Sequence, residues 1–249
     1  MGEVWNYLIS PDAEVWDAVG RSLWFAATSC SIAALICLPL GSLIHFSNFR
    51  GKGFVVSVVQ SLYCLPTVLV GLIVFSLLSR AGPLGELGWL FSPAAIIFGQ
   101  VILISPVMLG LVISALSGVD KAVIETATSL GANKMQTIFV AIREARYAVS
   151  TAVIMGFSRA VSEVGVSIMV GGNIRFYTRS LTPAISLATQ KGETEKAWAM
   201  GIMLLLIALA INIALYWLQR RWKVTQWKLP RWFTFRFRSW GKSTTGRVS

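Results

Sequence analysis

The sequence predicts an all-α integral membrane protein with five transmembrane helices, and three observations predict it. Of its 249 residues, 55% are hydrophobic and only 13% charged, with a mean hydropathy of +0.67. Apolar stretches of about 20 residues, the length that crosses the hydrocarbon core of a bilayer, recur along the chain. Lys and Arg are divided unevenly between the connections, which sets an orientation. A water-soluble chain of this size would need many more charged residues to cover its surface, so lipid is part of the solvent.

Residues 1–20 are read as an external N-terminal segment. They carry Glu3, Asp12, Glu14 and Asp17 and no basic stretch ahead of the first apolar run, so that run is expected to stay as a span and not to act as a signal peptide. Spans then fall near 22–46, 54–79, 93–115, 147–171 and 197–219, inside a transmembrane domain covering 21–220. The fourth is weakened, because Arg159 and Glu163 interrupt it and Gly165, Gly171 and Gly172 loosen its far end. Fifteen of the 22 Lys and Arg lie after span one, after span three and beyond residue 219, against six on the other side. The positive-inside rule then puts the N-terminus outside and the C-terminus in the cytoplasm. No internal repeat is evident, and an odd number of spans argues against two halves of matched topology.

The formal net charge of +11 admits nucleic acid, an anionic membrane face or topogenic charge as its cause. Much of it sits in a basic aromatic cytoplasmic tail, 221–249, where Trp222, Trp227, Trp232, Phe233, Phe235, Phe237 and Trp240 alternate with Lys and Arg. Directly after a span, that pattern reads as rings at headgroup depth beside anionic lipid and not as a nucleic-acid platform. Cys30, Cys37 and Cys64 lie in apolar runs without CxxC or Cys/His spacing, so neither a disulfide framework nor a metal site is expected. His45, the single histidine, ends span one without a carboxylate or cysteine near it in sequence, and no catalytic constellation emerges.

The longest inner connection, 116–146, alternates good helix formers with a break at Gly131 and predicts two short helices joined by a turn. In the first, Val123, Ala127 and Leu130 fall on one stripe, leaving Asp120, Glu125 and Thr128 to water or a partner. Glu125, Thr126, Ala127 and then Gly131 resemble the start of the EAA motif of ATP-binding-cassette importer permeases, a Glu-Ala-Ala followed by Gly. The stretch from Gly156 to Glu193 is similar to the corresponding part of tungstate-type permeases, relatives of the molybdate and sulfate permeases. The Arg-Glu-Ala-Arg at Arg143 to Arg146, in place of the Leu-Pro common in the wider family, fits that subgroup. The resemblance covers most of 15–220 and is strongest over 120–200.

The resemblance implies one of two identical permease subunits in the cell inner membrane, a homodimer joined by two copies of an ABC ATPase and an external oxyanion-binding protein. Glu125, Thr126, Ala127 and Gly131 would form the ATPase-coupling helix. ATP chemistry would belong to the separate subunit; this chain has no GxxxxGK[ST] phosphate loop, and no cofactor is expected in it. Pathway or gate candidates are Pro66, Thr67, Ser105, Ser158, Arg159, Ser162 and Glu163, polar or helix-weakening residues within spans. Arg159 and Glu163, four apart, are expected to pair on one helical face. Outside, Asn173, Arg175 and Arg179 begin a loop that would meet an anion or the acidic rim of a binding protein. Import of molybdate, sulfate or phosphate stays open as an alternative, as do an ATP-independent channel or carrier and a noncatalytic membrane scaffold.

Overall fold

The computed structural model describes residues 12–223, and these form ten α-helices with two short 3-10 turns and no strand. The first eleven residues and the basic tail from 224 onward lie outside the described residues. The helices are α1 (Ala13–Phe46), α2 (Lys52–Ser61), α3 (Thr67–Leu78), α4 (Pro93–Ser117) and α5 (Lys121–Ser129), followed by α6 (Lys134–Glu144), α7 (Arg146–Val161), α8 (Gly165–Gly171), α9 (Leu181–Gln190) and α10 (Thr194–Lys223). Three of them, α1, α4 and α10, are each long and apolar enough to cross a membrane. Two bent pairs bring the number to five if each pair counts as one span.

Both bends correct the expectation of plain helices. The chain over 54–79 breaks between α2 and α3, whose axes turn by 100°. Pro66 causes it: proline has no N–H to donate and pushes the residue before it out of helical geometry, and Leu65 accordingly sits at φ −57°, ψ 123°. Tyr63, in the 3-10 turn Leu62–Cys64, lays its hydroxyl against Gly110 of α4, where any β-carbon would collide with it. The second bend, 57°, separates α7 from α8 at residues 162–164. There the expected Arg159–Glu163 pair does not form. Helix α7 ends at Val161, so the four-residue spacing no longer places the two side chains on one face. Glu163 instead turns inward and is 3% exposed, with a carboxylate oxygen accepting the Val166 N–H at 2.9 Å.

At the centre, α1, α4 and α7 pack on one another, with α3 and α8 against one side of α4, α9 against α1, and α10 against α9 and α7. The apolar core falls into three clusters. One joins α1, α4 and α7 to the α6–α7 corner through Ala141 and Ala145. A second, around Phe25, Val74, Ile96 and Val166, fills the space between α1, α3, α4 and α8. A third seats Leu181 and Ala184 of α9 between the start of α1 and α10. A buried polar bridge crosses the first: Ser29 donates to Gln100 Oε1 at 2.8 Å, and Gln100 Nε2 donates to the Ala160 carbonyl at 3.3 Å, linking α1, α4 and α7. The cysteines separate: Cys30 and Cys37 are buried, while Cys64, in the turn before the Pro66 bend, is exposed.

Candidate functional site

Three regions collect the residues with chemistry to offer. The first is the α5–α6 corner. Asp120 caps α5 by accepting the Ala122 N–H at 2.9 Å, satisfying a donor the helix cannot. At the other end, Gly131 N–H donates to Thr128 O and Ala132 N–H to Ala127 O, the two bonds of a Schellman ending. That ending needs a left-handed residue, and Gly131 supplies it at φ +85°. Asn133 and Gln136 then close a reciprocal capping box on α6, at 2.9 and 2.8 Å.

This well-capped corner leaves apolar surface uncovered. Leu130 is 83%, Met135 72% and Phe139 67% exposed, and an open groove of about 740 Å³ runs past Val123, Ala127 and Val140. Glu125 and Thr126 are exposed beside it, and Ala127 is half-buried. On its other side α6 is anchored: Thr137 and Ala141 are buried, and α6 passes into α7 with only Ala145, itself buried, between them.

The second region is where the two helix breaks meet. Gly165 lies so close to Thr67 that a β-carbon would stand 2.6 Å from the Thr67 hydroxyl, and Gly71 faces Met169 in the same seam. Thr67 and Glu163 thus come to one joint, with Pro66 and Ser162 exposed at their respective breaks. The Thr182 hydroxyl ties α9 to it by donating to the Glu163 carbonyl at 2.8 Å. Ser105 and Ser158 are not part of the joint. Ser105 donates to Val101 O within its own helix, and Ser158 donates to Asn212 Oδ1 of α10 at 2.8 Å. Arg159 is exposed, on a stripe with Thr151, Met155 and Ser162 that runs the length of α7 with no described neighbour over it.

The third region is the loop after α8 and what it reaches. Gly172 ends α8 in left-handed geometry, and Thr178 stitches the loop by donating to Gly171 O and accepting from Ile174 N. Arg179 is held by Asn173, donating from Nε to its side-chain oxygen at 3.1 Å and from Nη2 to its carbonyl at 3.2 Å. Its remaining nitrogen, Nη1, meets Glu14 Oε1, while Arg175 reaches Glu14 Oε2 at 2.9 Å. One carboxylate near the start of α1 is thus clasped by two guanidiniums more than 160 residues away in sequence. Lys196 lies 3.4 Å from Asp12 alongside.

Sequence reasoning missed Glu14, Gln100, Asn212 and the helix α9. An isolated Gln within the 25-residue apolar α4 was the available signal for Gln100, since a buried amide in such surroundings must find partners. Among the described residues no three His, Cys, Asp or Glu side chains gather as metal ligands.

Comparison with known proteins identifies the family and the fold. Residues 37–224 match the family described as binding-protein-dependent transport system inner membrane component. The chain is 40% identical over 212 residues to the tungstate uptake system permease protein TupB of Peptoclostridium acidaminophilum, covering 85% of this chain and 93% of that one. It is 37% identical over 213 residues to the protein of the same name from Campylobacter jejuni, covering 86% and 89%. Among solved structures, a bacterial ABC transporter involved in the import of the acidic polysaccharide alginate shares its fold, with a TM-score of 0.70 and 18% identity over 90% of this chain and 84% of that one.

Proposed function

Because the chain belongs to the family of binding-protein-dependent transport system inner membrane components, we propose that it is the membrane-spanning subunit of an ATP-driven importer that carries a tetrahedral oxyanion, tungstate first among them. The observation that carries the reading is the 40% identity to a tungstate uptake permease along nearly the whole of both chains. A relative named for molybdate and tungstate together is 26% identical, which keeps molybdate as the second ion to test.

In this reading each bent pair is one span, giving five, with the N-terminus outside and the C-terminus in the cytoplasm of the cell inner membrane. The connection after α1, with Arg50 and Lys52, and the connection after α4, with Lys121, Lys134, Arg143 and Arg146 around the α5–α6 corner, then share the cytoplasmic face. Two copies of the chain face each other, two ATPase subunits dock from inside, and an external binding protein delivers the ion. ATP hydrolysis belongs to the ATPase subunits, and this chain needs no cofactor.

Mechanically, the exposed apolar corner around Glu125, Thr126, Ala127 and Gly131 suits a socket on the ATPase, since a monomer rarely leaves such large apolar side chains bare without a partner. Closure of the ATPases on nucleotide pulls α6, and through Ala145 it pulls α7. The stripe with Arg159 and Ser162, and the break with Pro66 and Thr67, then rearrange against the second copy, and the pathway changes the side to which it opens. Hydroxyls and one exposed guanidinium attract a dianion without caging it, which lets it leave. Glu163 holds the break in shape and does not meet the ion.

The test is reconstitution. The chain, its ATPase and its binding protein in proteoliposomes should take up tungstate in the presence of ATP and Mg²⁺. Uptake indifferent to ATP would replace the importer by a channel or carrier, and no flux with any oxyanion would favour a scaffold.

A further inference from the structure

We propose that the cavity enclosed by the N-terminal end of α1, the loop after α8 and the facing ends of α9 and α10 binds a tetrahedral oxyanion, with the Glu14 carboxylate as the resident anion that the ion displaces. The proposal deepens the importer reading and rests on it for the class of ion.

The cavity measures about 240 Å³, against the roughly 10–15 Å³ that a single water needs. Its charged lining is four cations, Arg175, Arg179, Lys191 and Lys196, and two carboxylates, Glu14 and Glu193. Arg179 is preset, because Asn173 occupies two of its nitrogens and leaves Nη1 turned to Glu14. Arg175 is 60% exposed at its side chain and bonds the other oxygen of the same carboxylate. Two guanidiniums on separate oxygens of one anion is the geometry by which proteins grip carboxylates and oxyanions alike.

Glu14 satisfies only part of this field. It is tethered to α1 and offers two oxygens, both taken by the arginines. Lys191 makes no ion pair among the described residues, and Lys196 has only Asp12, at 3.4 Å. A free tetrahedral dianion has four oxygens and twice the charge. It can replace Glu14 at the two guanidiniums and still turn oxygens toward Lys191 and Lys196. Competition from Glu14 keeps the hold weak, as an ion that must move on requires.

The experiment is equilibrium binding of sodium tungstate, and separately of sodium sulfate, to the full-length permease in lipid nanodiscs, with chloride holding the ionic strength constant. Saturable binding is expected. Glu14→Gln, which removes the competitor, should tighten it about tenfold, and Lys191→Ala with Lys196→Ala should weaken it about tenfold, the size of one charge-assisted contact. Absence of saturable binding to both the native chain and Glu14→Gln overturns the site, and so does binding indifferent to the lysine pair. If Glu14→Gln does not accumulate folded, the double lysine variant decides alone. ATP-driven uptake without binding at this cavity sinks the site and spares the importer; binding that follows these variants without any ATP-driven uptake does the reverse.

Discussion

The α5–α6 corner and the Glu14 clasp are both polar-capped turns next to the helical core, yet they are built on opposite terms. The corner satisfies its own backbone with local bonds, from Asp120, Gly131, Asn133 and Gln136, and leaves Leu130, Met135 and Phe139 bare. The clasp spends its charged side chains on a distant element: Arg175 and Arg179 close on Glu14, across most of the chain. A segment that is locally self-sufficient and apolar outside is free to engage another protein. One that is stitched by long-range ion pairs holds its neighbours only while those pairs stay closed.

The sharpest way to break that contrast is Gly131→Val. A branched side chain in left-handed geometry costs about 1–2 kcal/mol before any clash and removes the Schellman ending of α5. ATP-driven uptake should fall more than tenfold while the amount of protein in the membrane fraction stays near normal; normal uptake would end the coupling role. Next in size is Arg179→Ala, which strips Asn173 of two donors and Glu14 of one. With Arg179 and Glu14 side chains only 16% and 18% exposed, the loss should be about 2–3 kcal/mol, read as a lower unfolding temperature in detergent.

Asn133→Ala comes third. Losing the capping box should cost about 1 kcal/mol, seen as faster hydrogen exchange at the first amides of α6 and nowhere near the clasp. Smallest is Arg175→Ala, whose side chain is 60% exposed and whose pair should be worth less than about 1 kcal/mol. Salt separates the regions again. At about 1 M, where the Debye length is about 3 Å, Arg175→Ala and the native chain should unfold at the same temperature, whereas the cost of Asn133→Ala should persist.

Length and polarity made three spans legible, because α1, α4 and α10 are unbroken apolar runs. The same reading straightened the other two. Pro66 is legible as a weak point, but the size of the bend it causes, 100°, and the seat of Tyr63 against Gly110 are set by contacts far apart in sequence. Arg159 and Glu163 looked paired because helical periodicity was assumed to run through Ser162, and the helix stops one residue earlier. The turn at Gly131 was readable because its determinants are all local. Glu14 was not, since nothing near it in sequence announces two arginines far down the chain, and α9 hid in a stretch that reads as a polar loop after Asn173.

The amide of Gln100 has one further consequence. By bonding Ser29 on one neighbour and the Ala160 carbonyl on another, it pins three helices at a single height in an apolar medium where no water stands ready to replace a broken bond. Those three are thereby cross-linked at one level of the bundle. In the importer proposed above, a stroke that reaches this cross-link would be taken up at the bends at residues 65–66 and 162–164, which lie outside it.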